Sequence, residues 1–261
     1  MEIIRLSNIS FNYPQKNGNT GFSIEELDLS ISEGDFLSIL GPNGSGKSTL
    51  VKLIAHIFEP MQGEMYLLSK KYNEFNRNEF AKLISLVPQN SGTNFPFSIF
   101  EIVMMGRSPY LNFMGIENSD DKKLVMDTLD LLEISHLKNK GINEVSGGEA
   151  QRALIARAIV QQPKILLLDE PSSHLDIKHQ LSIYNLLHEL NLEKSITIVA
   201  VSHDINLSSN FSSRVVLMKN GKIEYDSIPG EVLTSENIES VFGVLPNIIQ
   251  NNDQSFISFV K

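Results

Sequence analysis

Cysteine, basic residues and long apolar runs are absent or scarce in this sequence of 261 residues. Without cysteine the chain forms no disulfide and has no thiolate metal site, which fits a reducing compartment. No stretch approaches the roughly 18 unbroken apolar residues of a membrane span, and residues 1–5 lack a signal-peptide pattern. We therefore expect a soluble protein that works at a membrane only if another protein holds it there.

The charge balance is acidic. Lys and Arg number 22 against 31 Asp and Glu, which gives a formal net charge of −9. Such a surface binds a polyanion poorly, so nucleic acid is disfavoured as the main partner. A hydrophobic content of 41% supports a proper core, and the length predicts one sizeable α/β domain with room for a subdomain.

The most informative stretch is a phosphate-binding loop, G-x-x-x-x-G-K-S, placed between an apolar run and a helical pattern. Its glycines let backbone N–H groups point at one anion, and the following helix adds its positive dipole end. The lysine suits the β- and γ-phosphates, and the serine suits Mg²⁺. The loop comprises Gly41, Pro42, Asn43, Gly44, Ser45, Gly46, Lys47, Ser48 and Thr49.

Four buried strands are predicted to end at Leu40, Val87, Leu168 and Val201, and a polar group follows each end. These groups are the phosphate loop, Gln89, Asp169-Glu170 and His203. Ligands of an open parallel sheet bind outside the carboxyl ends of its strands, so the four groups should converge on one nucleotide. The acidic pair suits a magnesium site at Asp169 and a general base at Glu170.

Other segments leave alternatives open. Tyr13 either stacks on a purine or simply packs. Residues 90–150 show helical periodicity and predict a helical insert, with a capping box at Ser98. Ser146-Gly147-Gly148 opens a helix that runs to about Val160, and it forms either a second anion-binding nest or an ordinary helix entry. Asn220-Gly221 predicts a hairpin, and residues 235–242 a short helix.

Taken together in this order and spacing, these motifs resemble those of the ABC-type ATPases over roughly residues 1–225. The resemblance implies an α/β P-loop NTPase (RecA-like) core with an N-terminal antiparallel β-subdomain and a helical subdomain inserted at about 90–150. Residues 226–261 would form a short C-terminal extension. It also implies that the cofactors are ATP and Mg²⁺.

The roles implied by the resemblance fall into three groups. The catalytic group is Glu170 as catalytic glutamate, His203 as switch histidine, Gln89 of the Q-loop, and Lys47. Magnesium would be held by Ser48, Gln89 and Asp169. ATP would be bound by Tyr13, by the loop from Gly41 to Thr49, by the signature Ser146, Gly147 and Gly148, and by Asp176 of the D-loop.

In this family the signature turn binds the ATP held by the opposite subunit, so the resemblance implies a head-to-tail dimer with two ATPs at its interface. Two positions depart from the usual signature, because Val145 replaces a leucine and Glu149 a glutamine. The serine and both glycines are intact. No catalytic position is missing, so we expect an active hydrolase.

Two segments resemble more closely the ATPases of importers for iron-siderophores, haem and cobalamin. They are Met105-Gly106-Arg107-Ser108-Pro109-Tyr110 and residues 170–176, which include His174. This resemblance implies a subunit held at the cytoplasmic face of the cell membrane by integral membrane permease subunits, and served indirectly by a substrate-binding protein. The segment after Gln89 would contact the permease. The alternatives are the ATPase of an exporter, or a soluble ABC protein that acts on ribosomes or DNA.

Overall fold

The structure is a computed structural model that describes residues 1–13, 22–89, 97–111, 117–173, 175–251 and 254–259. Its strands, in chain order, are β1 (Glu2–Asn12), β2 (Ser23–Ser32), β3 (Phe36–Leu40), β4 (Gln62–Leu67), β5 (Lys70–Lys71), β6 (Ile84–Val87), β7 (Ile165–Asp169), β8 (Thr197–Val201), β9 (Arg214–Lys219), β10 (Lys222–Ser227), β11 (Asn247–Asn251) and β12 (Gln254–Ser258). Its helices, in chain order, are α1 (Lys47–Ile54), α2 (Arg77–Leu83), α3 (Ile99–Met104), α4 (Ser119–Leu131), α5 (Gly147–Ile159), α6 (Ile177–Lys194), α7 (Ile205–Phe211), α8 (Pro229–Val232) and α9 (Ser235–Phe242). Within these described ranges, no helix combines the length and the apolar character that crossing a membrane requires.

The larger sheet has the strand order β10-β9-β3-β8-β7-β6. Its neighbours run parallel, apart from the antiparallel β9–β10 hairpin. All residues of β3, β7 and β8 are buried, as the continuous apolar runs predict for strands covered on both faces. Asn220 and Gly221 join β9 to β10 with positive φ angles of 49° and 79°, which confirms the predicted hairpin.

The smaller sheet is antiparallel, in the order β2-β1-β4-β5. Its inner face shares one apolar core with both elements that flank the phosphate loop. Ile4 and Leu29 of the sheet belong to the same buried cluster as Leu37 of β3 and Leu50 of α1. This core therefore packs against both elements that flank the phosphate loop.

The predicted helical region is also present in the described part of the chain. Helices α3, α4 and α5 pack around a second cluster that includes Ile102, Val125 and Ile155. Ser98 and Glu101 form the predicted capping box at the start of α3. Helix α5 ends at Ile159, close to the predicted end at Val160.

Gly106 and Arg107 have structural explanations. A Cβ on Gly106 would overlap the carbonyl oxygen of Arg157, so only glycine lets this turn reach α5. Arg107 is buried, and its Nε donates to Asp121 Oδ1 at 2.8 Å while its Nη1 donates to the carbonyl oxygen of Val160 at 2.9 Å. Arg107 therefore holds α4 and the end of α5 together, and its guanidinium is not available to a partner.

Two elements are shaped by residues with positive φ angles. Residues 23–32 form one strand, which continues past Glu26 at a φ of 50° with a local irregularity in register. Helix α1 ends at Ile54, since His56 adopts a left-handed φ of 54°. The helix predicted at 235–242 is confirmed as α9, whereas the hairpin of β11 and β12 was not predicted.

Candidate active site

The phosphate loop connects β3 to α1 and is curled tightly. Gly44 and Gly46 have φ angles of 78° and 104°, and Gly46 caps α1 from the left-handed region. A Cβ on Gly41 would overlap the carbonyl oxygen of Met218 in the neighbouring strand. The glycine spacing of the motif is thus required by the backbone path at three points.

The loop contains two polar groups suited to an anion. Lys47 is buried, and its Nζ donates to the carbonyl oxygens of Gly41 at 2.8 Å and Pro42 at 3.0 Å. Burial lowers the pKa of the Lys47 ammonium, and the nearby Glu170 and Asp169 oppose that shift. The Ser45 hydroxyl is buried and has no hydrogen-bond partner among the described residues. An unpartnered buried hydroxyl beside a desolvated ammonium fits a phosphate group.

Ser48 and Asp169 bring two hard oxygen atoms together. Ser48 Oγ donates to Asp169 Oδ1 at 2.8 Å. Burial raises the pKa of the Asp169 carboxyl, and the Ser48 hydrogen bond acts in the other direction. The described residues contain no group of three or more His, Cys, Asp or Glu side chains that could hold a metal ion. Two oxygens supplemented by phosphate oxygens and water match the way in which Mg²⁺ is usually held beside a nucleotide.

The Glu170 side chain, directly after β7, contacts side chains that follow two other strands. Its Oε2 accepts from Gln89 Nε2 at 2.6 Å, after β6, and its Oε1 lies 2.6 Å from His203 Nε2, after β8. The backbone of Glu170 has a left-handed φ of 55°, a strained conformation of the kind found at functional sites. The predicted convergence of the strand-end groups is therefore present in the fold.

A cavity of about 310 Å³ connects the phosphate loop to an aromatic wall. Tyr13 and Phe22 line it, together with Asn43, Lys47 and Glu170. The Tyr13 hydroxyl lies 3.0 Å from Thr49 Oγ1, and the ring is 38% exposed. Phe22 was missed at the sequence level, because a single Phe in an alternating strand resembles a core residue.

The Ser146 turn lies apart from this cavity. Ser146 caps α5 and donates from Oγ to Glu149 Oε2 at 2.8 Å, while its backbone N–H donates to the same oxygen at 2.8 Å. These bonds hold the pKa of the Glu149 carboxyl below its ordinary value. Ser146 and Gly147 are exposed, and Gly148 is buried. Within one chain, the structure therefore does not bring this turn to Lys47.

Asp176 caps α6 and is exposed beside the Ser146 turn. Its Oδ1 accepts from the backbone N–H of His179 at 2.9 Å and lies 2.8 Å from His179 Nδ1, and these bonds lower the pKa of the Asp176 carboxyl. A Cβ on Gly148 would lie 2.6 Å from the His179 ring, so the two segments are in close contact. His174 lies outside the described residues.

The family follows from a direct match. A sequence model of the family described as ABC transporter matches residues 24–173, more than half of the chain. The chain belongs to the ABC transporter family. This ABC protein binds ATP and is an ATPase, as the phosphate loop and the acidic strand end predict.

Two curated relatives of the ABC protein carry specific names. It is 35% identical to the petrobactin import ATP-binding protein FpuC of Bacillus anthracis over 91% of this chain and 87% of that protein. It is 36% identical to the hemin import ATP-binding protein HmuV of Escherichia coli O157:H7 over 84% of this chain and 86% of that protein.

Two solved structures share its fold. One is an inward-facing transporter assigned to the metal-chelate class, with a TM-score of 0.85, 31% identity, and coverage of 100% of this chain and 97% of that chain. The other is the dimeric ATP-binding cassette MJ0796 bound to ADP and phosphate, with a TM-score of 0.75, 32% identity, and coverage of 87% of this chain and 99% of that chain. The P-loop core, the antiparallel β-subdomain and the helical insert are thus confirmed as the fold.

Proposed function

We propose that this ABC protein is the energy-coupling subunit of an importer for iron-siderophore, haem or cobalamin-type substrates. The observation that carries the proposal is the similarity of the chain to named import ATP-binding proteins. FpuC and HmuV are import proteins for petrobactin and hemin, and each is matched over more than four-fifths of its length. The chain would act at the cytoplasmic face of the cell membrane, where permease subunits would hold it. A substrate-binding protein would deliver the substrate to the permease.

In the proposed site, the loop from Gly41 to Thr49 binds the phosphates of ATP. Lys47 would exchange its two carbonyl partners for phosphate oxygens, and the Ser45 hydroxyl would gain the partner it lacks. Ser48 and Asp169 would hold Mg²⁺, which supplies charge neutralisation at the phosphates when bound, and the amide oxygen of Gln89 would face the same position. Tyr13 would stack on the adenine, with Phe22 as a second wall.

Glu170 is proposed as the general base that orients and deprotonates the attacking water. Both of its oxygens are engaged, one by Gln89 and one by His203. When one of these side chains turns away, the oxygen that it occupied is free to accept from the attacking water. We assign that movement to the arrival of the γ-phosphate, which gives His203 and Gln89 new partners.

A second copy of the chain would complete the site. Ser146, Gly147 and Asp176 are exposed on one side of the chain, and His179 contacts both segments. Backbone N–H groups at the start of α5 would form an anion-binding nest for the partner's ATP. A head-to-tail dimer would place this nest against the ATP on the partner's phosphate loop.

Ser146→Arg tests the dimer. We expect ATP affinity to stay within about twofold, because the chain's own loop is intact, and turnover to fall at least ~10-fold through steric and charge conflict at the partner's ATP. Both are measured on the purified protein. The control is Ser98→Arg, which removes an equivalent capping box from α3 and should leave turnover near wild type. Equal losses in both variants would assign the effect to capping and remove Ser146 from the interface.

A groove of about 650 Å³ is the proposed contact with the permease. It lies between α2, β6 and the turn at 105–110, and its lining includes Phe80, Leu86, Met105 and Gly106. Leu86 belongs to the strand that ends just before Gln89, so an occupant of the groove would sense the movement of Gln89. Arg107 is buried under this turn and cannot reach a permease. Within its motif, the exposed side chain of Met105 is therefore the proposed contact.

Met105→Glu tests both the groove and import. We expect the isolated protein to hydrolyse ATP at the wild-type rate, while cells that carry only this variant take up radiolabelled iron-siderophore, haem or cobalamin at least ~10-fold more slowly. The physical reason is that a carboxylate added to the groove must lose its water when a partner covers it, which weakens the contact. Met61→Glu, at another exposed methionine outside the groove, is the matched control.

Two outcomes would contradict the proposal. Normal uptake by cells that lack the protein, together with accumulation of a substrate inside them, would favour the exporter alternative. Tight, salt-sensitive binding of RNA or DNA by the purified protein would favour action on ribosomes or DNA.

A further inference from the structure

The C-terminal hairpin is attached to the helix that follows His203. Asn206, in α7, makes two hydrogen bonds to the backbone of Ile257 in β12. Its Nδ2 donates to the carbonyl oxygen of Ile257 at 3.0 Å, and its Oδ1 accepts from the Ile257 N–H at 2.8 Å. The side-chain amide thus pairs with β12 as another strand would, and a two-point attachment fixes the helix against the strand.

Apolar packing supports the same attachment. The Ile257 side chain is 2% exposed and belongs to a buried cluster with Ile205 of α7 and Leu40, the last residue of β3. Ile205 lies two residues after His203, and Leu40 immediately precedes the phosphate loop. The hairpin therefore shares a buried core with the two segments that lead into the active site.

The backbone at His203 is positioned by its two neighbours in sequence. On one side, Ser202 is buried and its backbone N–H donates to the carbonyl oxygen of Ile39 at 3.2 Å. On the other side, Asp204 caps α7, with Oδ1 accepting from the N–H of Leu207 at 2.9 Å. The direction of the exposed His203 ring thus depends on where α7 begins.

The hairpin also reaches the space beside the ring. A cavity of about 470 Å³ is lined by Glu170, His203 and Asp204 and by Ile257, Ser258 and Phe259 of the C-terminal segment. The hairpin is therefore close to the 2.6 Å contact between Glu170 and His203 without supplying a group to it.

We propose that the C-terminal hairpin positions His203 for ATP hydrolysis and that Asn206 is the positioning residue that connects the two. This inference rests on the proposed role of His203 and Glu170. By holding α7 against β12, Asn206 keeps the His203 ring at the distance from which it can meet Glu170 and then the γ-phosphate. The hydrogen bonds of Asn206 do not involve the phosphate loop, so the affinity of the loop for ATP is expected to be retained.

The test compares Asn206→Ala with Asn210→Ala, an exposed asparagine on the same helix. Loss of the paired hydrogen bonds is expected to lower kcat about 3- to 10-fold while KM for ATP stays within about twofold. Asn210→Ala should match wild type. A lower melting temperature with unchanged kcat, or a raised KM with unchanged kcat, would reduce Asn206 to a structural role and overturn the inference.

A double-mutant cycle establishes the route. In a His203→Ala background, with turnover followed by release of labelled phosphate, Asn206→Ala should cause less than about a twofold further loss, since its effect passes through the missing ring. An undiminished loss in that background would overturn the inference. If wild type and Glu170→Gln release phosphate at the same rate, the proposed roles of Glu170 and His203 are wrong. This measurement therefore distinguishes a failure of the proposed function from a failure of the positioning role of Asn206.

Discussion

Glu170→Gln is expected to bind ATP with near wild-type affinity and to release phosphate at least ~100-fold more slowly. The amide keeps the size of the side chain and can still contact Gln89 and His203, whereas it cannot accept a proton from water. ATP should therefore bind, draw two copies together and remain unhydrolysed. The measurements are the steady-state rate of phosphate release, ATP titration, and the molecular mass with and without ATP.

Glu193→Gln is the control, because it makes the same chemical change on the exposed surface of α6. It should behave as wild type in all three measurements. Turnover of Glu170→Gln near the wild-type rate would remove Glu170 from the role of base. Loss of ATP binding in that variant would instead indicate that the carboxylate supports the shape of the phosphate loop.

Lys47→Ala is expected to weaken ATP binding itself by at least ~10-fold. A charge-assisted hydrogen bond contributes about 1.5–3 kcal/mol, and about 1.4 kcal/mol corresponds to a tenfold change in affinity. The ammonium is already desolvated and directed inward by Gly41 and Pro42, so little reorganisation is required before it meets a phosphate. Equilibrium titration with a fluorescent ATP analogue measures the change.

Lys123→Ala, on the exposed surface of α4, removes the same charge from elsewhere in the protein and should leave affinity unchanged. An unchanged affinity in Lys47→Ala would contradict the assignment of the loop as the phosphate site. A loss that appears only in turnover would restrict Lys47 to the hydrolytic step.

The ends of the buried strands were predictable because two strong signals coincide there. Continuous apolar runs mark the strands of a parallel sheet, and a polar group directly after each run has few structural explanations. Asp169-Glu170 and His203 could thus be assigned to one sheet edge although more than 30 residues separate them. Capping boxes such as Ser98 with Glu101 are equally local, since both partners lie within one helical turn.

Other features depend on contacts that no local pattern encodes. Asn206 and Ile257 are 51 residues apart, and nothing in either segment identifies its partner. Arg107 could be taken for part of a docking motif until the structure showed its guanidinium bonded to Asp121 and Val160. The sequence alone did not separate the two interpretations of the Ser146 turn, because a helix entry and an anion site share one backbone geometry.

The position of β3 in the sheet has a consequence for synthesis. The strand that carries the phosphate loop has β8 and β9 as its sheet neighbours, and these strands end at Val201 and Lys219. The motif leaves the ribosome early, but β3 can pair with β8 and β9 only after most of the polypeptide has emerged. We therefore expect ATP capture to begin late in translation, and an N-terminal fragment that contains the complete motif to form no working pocket.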